Sequence, residues 1–73
     1  MWNYGIINGA QYEAKVFPCG SQFGIDGGRI SKLHVVKDGR CIINYDRGWD
    51  IEPATDDARD ILRAILARYP EEV

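Results

Sequence analysis

Two cysteines, one histidine, three prolines and one methionine are all that 73 residues hold of those types, and each scarcity closes off a class of protein. A secreted mini-protein of this length usually carries roughly four to eight cysteines as staples. Cys19 and Cys41 therefore read as reduced thiols, with a single bridge between them left open. One histidine, His34, and no Cys-x-x-Cys pair give no ligand set for a metal, and no cofactor is expected. No apolar run approaches the ~20 residues of a membrane span. The opening Met1-Trp2-Asn3-Tyr4-Gly5 also lacks the basic stretch of a signal peptide, so we expect a cytoplasmic protein. Neither charge sign dominates: nine Lys and Arg stand against eleven Asp and Glu, a net charge of −2. That balance is not the basic coat of a protein that binds a nucleic acid polymer. A chain this short buries only ~60% of its unfolded surface. We read residues 1–73 as one small domain, with no room for a doubly wound nucleotide fold.

What the chain does hold is hairpin chemistry and one well-marked helix. Asn8-Gly9 and Asp38-Gly39 each sit between apolar-rich runs, the strongest short-range hairpin signal. For the first hairpin, a two-residue turn would pair Trp2 with Lys15, Tyr4 with Glu13 and Ile6 with Gln11, mixing apolar and polar groups on both faces. A bulged three-residue loop pairs Trp2 with Ala14, Tyr4 with Tyr12 and Ile6 with Ala10. The bulge is preferred because a one-residue slip exchanges a strand's faces, and it makes Trp2, Tyr4 and Tyr12 core. The same argument in the second hairpin sets Val35 opposite Cys41, Leu33 opposite Ile43 and Ser31 opposite Tyr45. It leaves Ile30, Lys32, His34, Val36, Ile42 and Asn44 on the outer face.

At the C-terminal end, Ala58, Ile61, Leu62, Ile65, Leu66 and Tyr69 follow helical spacing. Thr55 is placed as N-cap, Asp56 and Asp57 complement the positive helix start, and Pro70 stops the run. The expected fold is α+β: a four-stranded antiparallel sheet from two β-hairpins, with one C-terminal amphipathic helix packed on one face (ββββα).

Two segments are dense in chemistry. The first, Pro18 to Arg29, holds four of the eight glycines, Gly20, Gly24, Gly27 and Gly28. Glycine lets backbone N–H groups converge on an anion, and Arg29 and Lys32 beyond the loop suit phosphate. No phosphate-loop signature is present, and the plainer reading is that these glycines serve turns. The second, Tyr45-Asp46-Arg47-Gly48-Trp49-Asp50, puts two carboxylates, a guanidinium and two aromatics in six residues. Asp46 and Asp50 have the composition of a hydrolytic carboxylate pair, or they pair with Arg29, Arg47 or backbone donors to hold a tight connection. Tyr45 and Trp49 could instead stack on a flat ligand while Arg29 or Arg47 meets its phosphate. Ser21 and Ser31 have no base partner except His34, which sits mid-strand, so no catalytic residue is assigned.

The runs Gly24-Ile25-Asp26-Gly27-Gly28-Arg29-Ile30-Ser31-Lys32-Leu33 and Tyr45-Asp46-Arg47-Gly48-Trp49-Asp50 carry a resemblance to a family of small proteins of phages and prophages of Gram-positive bacteria. Trp2 to Gly5, Tyr12 to Val16, Gly20-Ser21 and Pro53 extend it over nearly the whole chain. The resemblance implies an accessory protein acting in the cytoplasm of a bacterial host cell, and it brings no activity and no catalytic residue.

The leading expectation is a non-enzymatic binding or interaction module. Its site would comprise Ser21, Gly27, Gly28, Arg29, Lys32, Tyr45, Asp46, Arg47, Trp49 and Asp50. The ligand would be a host protein or a phosphorylated small molecule such as a signalling nucleotide. A homo-oligomer is a further expectation, because so small a domain gains core by association. The alternatives are a small hydrolase or lyase using Asp46 and Asp50, and purely structural roles for both segments.

Overall fold

The structure is a computed structural model and describes residues 2–70. Five antiparallel strands form one sheet in chain order: β1 (Trp2–Ile7), β2 (Ala10–Val16), β3 (Ile30–Lys37), β4 (Arg40–Asp46) and β5 (Trp49–Ile51). One helix, α1 (Asp56–Arg68), follows and packs on one face. The fold is α+β as expected, with five strands rather than four. The additional strand comes from the Tyr45–Asp50 segment, expected as a connection between the last strand and the helix. The Asp46 N–H donates to the Gly48 carbonyl at 2.9 Å, and this tight turn folds Trp49–Ile51 back along β4.

α1 forms where local signals put it. The Thr55 hydroxyl accepts from the Ala58 N–H at 3.0 Å, satisfying one of the unpaired donors at the helix start. Ala58, Ile61 and Ile65 are buried against the sheet, with Leu62, Leu66 and Tyr69 half-buried beside them. On the solvent side, Asp56–Arg59 and Asp60–Arg63 close ion pairs at 2.7 and 2.6 Å. The helix end is fastened to the first hairpin by side chains. The Tyr12 and Tyr69 hydroxyls lie 3.0 Å apart, and Arg68 donates to the Tyr12 hydroxyl at 3.1 Å and to the Ile6 carbonyl at 3.3 Å.

Both expected registers are corrected. Asn8 and Gly9 have φ of 49° and 79°, the left-handed pair of a two-residue type I′ turn. Trp2 therefore opposes Lys15, Tyr4 opposes Glu13 and Ile6 opposes Gln11. This pairing is disfavoured only if β1 must keep its large apolar groups on the covered face. β1 is an edge strand, and it places only Asn3, Gly5 and Ile7 there, while the Tyr12 ring covers the space over Gly5. Trp2 and Tyr4 are thus exposed, and of the three aromatics expected in the core only Tyr12 is buried.

The second hairpin also turns on two residues, Asp38 and Gly39, with Lys37 opposite Arg40. A bulge beyond the turn then sets Val35 opposite Ile43 and Leu33 opposite Tyr45. The extra residue lies in β4, so Ile42 packs against the core next to Ile43 instead of facing outward. A second register shift, between Lys15 and Val16, buries Ile30 and Ser31 together. Cys19 is exposed and Cys41 half-buried, and both are free thiols.

These registers leave the second face of the sheet without a covering layer among the described residues. Three rows cross it: Trp2–Lys15–Lys32–Asp46, then Tyr4–Glu13–His34–Asn44–Ile51, then Ile6–Gln11–Val36–Cys41.

Candidate functional site

The two lysines of the first row border a hollow of about 280 Å³ lined by Lys15, Phe17, Ser21, Phe23, Ser31, Lys32 and Arg47. Its parts come from four stretches of chain. Lys15 lies near the end of β2 with Phe17 just beyond it, Ser31 and Lys32 open β3, Ser21 and Phe23 belong to the glycine-rich loop, and Arg47 forms the β4–β5 turn. Three cations thus meet at one place on a chain whose net charge is −2.

Two of them face each other. Lys15 and Lys32 are direct cross-strand partners, and like charges in that position destabilise a sheet by about 0.2–1 kcal/mol. Each lysine also has a nearby contact. The Lys32 ammonium lies 3.7 Å from the Asp46 carboxylate, and the Lys15 ammonium stands 5.5 Å from the centre of the Phe17 ring. Asp46 also pairs with Arg47 at 3.8 Å, so one carboxylate bridges two of the three cations.

Arg47 is held in an uncommon conformation. Among the described residues, four that are not glycine have positive φ; three are Asn8, Asp26 and Asp38, and the fourth is Arg47 at 55°. Asn and Asp tolerate this region, whereas a long side chain there costs roughly 1–2 kcal/mol. The turn is fixed by the Arg47 N–H, which donates to the carbonyl of buried Ser31 at 2.9 Å.

The expected site residues divide into groups. Ser21, Lys32 and Arg47 meet in the hollow, with Asp46 beside it. Gly27 and Gly28 do not cradle an anion, because their amides donate to Gly24 and Ile25 at 3.0 and 2.9 Å. The amides of Ser21, Phe23 and Gly24 are likewise engaged inside the loop. Gly24 has a steric reason to be glycine: a Cβ there would stand 1.9 Å from the Gly28 carbonyl oxygen.

Arg29 is turned elsewhere, donating from Nε to the Phe17 carbonyl at 2.9 Å and from Nη1 to the Pro70 carbonyl at 3.2 Å. Tyr45 is buried, and its hydroxyl donates to the Phe23 carbonyl at 2.9 Å, which anchors the loop over the sheet. Trp49 meets the edge of the Tyr45 ring at a centroid distance of 4.9 Å and a 75° interplanar angle, so the two rings form no parallel stacking platform. Asp50 is exposed on β5.

Sequence reasoning missed Lys15, Phe17, Phe23 and Ser31. Correct pairing of β2 with β3 was the signal that would have found Lys15 opposite Lys32. Among the described residues no group of three His, Cys, Asp or Glu side chains could hold a metal ion. No helix among them is long and apolar enough to cross a membrane.

A family model described as a domain of unknown function (DUF7678) matches residues 1–70. Comparison with curated proteins and with solved structures returns no match.

Proposed function

We propose that this chain, which belongs to the DUF7678 family, is a non-enzymatic binding module that takes a phosphate-bearing small molecule in the Lys15–Lys32–Arg47 hollow. The observation that carries the reading is the direct opposition of Lys15 and Lys32, reinforced by the left-handed Arg47 at the same place. Both arrangements are unfavourable for the folded chain alone. An anion between the cations removes the first and gives the second a use, since a guanidinium suits bidentate contact with phosphate. Phe17 and Phe23 supply apolar walls for the organic part of such a ligand, and Ser21 supplies a hydroxyl. The phage or prophage context and the cytoplasm of a bacterial host, implied by the motif resemblance, belong to this proposal.

Thermal unfolding with inorganic phosphate and a panel of nucleoside phosphates tests it. The wild-type melting temperature should rise with at least one nucleoside phosphate. Lys15→Met and Arg47→Asn should each lose that rise while melting no lower than wild type, because each removes an unfavourable feature of the fold. No shift across the panel sinks the small-ligand reading. Variants that melt well below wild type support purely structural roles. Phosphate-ester turnover that disappears in Asp50→Asn would favour the hydrolase.

A further inference from the structure

The sheet has two edges, and only one is protected by its own residues. β5 is three residues long, includes Asp50 and is followed by Glu52 and Pro53. Short length, charge and proline are the usual devices that stop an edge from pairing with another chain. β1 has none of them: Trp2-Asn3-Tyr4-Gly5-Ile6-Ile7 is six residues without a charge, a proline or a bulge. Trp2, Tyr4 and Ile6 are 46, 71 and 66% exposed.

The two-residue turn determines which backbone groups point outward. Ile7 and Ala10 flank it as the closing hydrogen-bonded pair, so Asn3, Gly5 and Ile7 use their groups on β2. The outward groups are those of Trp2, Tyr4 and Ile6, of which the Ile6 carbonyl accepts one bond from Arg68 and keeps a second lone pair. We propose that β1 pairs antiparallel with β1 of a second copy, about a two-fold axis at Tyr4, to give one continuous ten-stranded sheet.

Only the register centred on Tyr4 lets all three outward residues pair, Trp2 with Ile6 of the other copy on each side and Tyr4 with Tyr4. On the open face the side chains brought together are all apolar or aromatic, and such cross-strand pairs stabilise a sheet; on the other face Asn3 meets Gly5. The Glu13 charges do not oppose this arrangement. Glu13 of each copy would lie three strand spacings apart, about 14 Å, beyond the screening length of about 8 Å at physiological salt. A patch that is its own complement under a two-fold axis is the requirement for a closed dimer, which is why a second copy is the occupant. The edge lies outside the lining of the anion hollow, so the two proposals stand or fall separately.

Sedimentation equilibrium, amide exchange and a charge swap test the pairing. Wild type should sediment at twice the 8.3 kDa chain mass and protect the Tyr4 amide. Tyr4→Lys and Tyr4→Glu should each keep the wild-type circular dichroism yet be monomeric, with a dissociation constant raised roughly tenfold or more. An equimolar mixture of the two variants should recover the dimer, since opposite charges then face each other at the axis. A wild type that stays monomeric at every concentration overturns the proposal. So does a dimer whose Tyr4 amide exchanges freely, or a mixture that stays monomeric.

Discussion

The helix-covered face of the sheet and its open face share the same strands but follow different rules. On the covered side, Leu33, Val35, Ile43, Ile61 and Ile65 are almost wholly withdrawn from water, and bulges in β3 and β4 add Ile30 and Ile42 to that core. The open side keeps Trp2, Tyr4, Ile6 and Ile51 in contact with solvent. It also sets Lys15 against Lys32 and pairs His34 with Glu13 at 3.6 Å. Each fully buried aliphatic side chain contributes roughly 1.5–3 kcal/mol, so the covered face dominates stability. The open face is freed from that demand and tolerates arrangements that do not favour the isolated fold.

Ile65→Ala should produce the largest change. It truncates a fully buried side chain and is expected to cost about 2–5 kcal/mol, read as a lowered urea midpoint with an unchanged slope. The polar seam at the rim of the same face should matter less. Tyr12→Phe removes the hydroxyl shared with Tyr69 and Arg68 and should cost about 1 kcal/mol in the same measurement.

That seam also makes stability depend on alkaline pH. Burial, with the hydrogen bond to Tyr12, pushes the Tyr69 phenol up to about 12. The folded protein therefore holds this proton more tightly than the unfolded chain does. The contribution is whole below the ordinary phenol value of 10.0 and is lost as pH rises to about 12. Melting curves across that window should fall for wild type and fall less for Tyr69→Phe.

The smallest effect should come from the open face. Trp2→Ala is expected to change monomer stability by no more than about 0.5 kcal/mol, measured by urea unfolding in the monomeric Tyr4→Lys background. A loss comparable to that of Ile65→Ala would mean that the open face is also core, and the contrast between the faces would be broken.

How much could be read in advance follows from the range of the interactions. The Thr55 cap, the acids of the first turn and the Ala58–Tyr69 stripe all act within a few positions along the chain, and α1 follows them over Asp56–Arg68, with Tyr69 as its C-cap. The positions of the turns at Asn8-Gly9 and Asp38-Gly39 were legible for the same reason, but not their two-residue form. Register was not. Placing Tyr4 correctly required knowing that β1 lies at an edge, where an outward tyrosine carries no burial penalty. The candidate site shows the same division: Ser21, Lys32 and Arg47 stood out by residue type, whereas Lys15, Phe17, Phe23 and Ser31 joined them only through strand pairing and loop closure.

The sequence alone determined the helix, its cap and buried stripe, the positions of the two hairpin turns and an α+β class, because backbone preference and amphipathic spacing are local. Tertiary structure decided the fifth strand, both registers, the diversion of Arg29 to the Phe17 and Pro70 carbonyls, and the meeting of Lys15, Lys32 and Arg47. Each of these depends on which distant segments lie side by side, and burial against a common helix selects that arrangement for the chain as a whole.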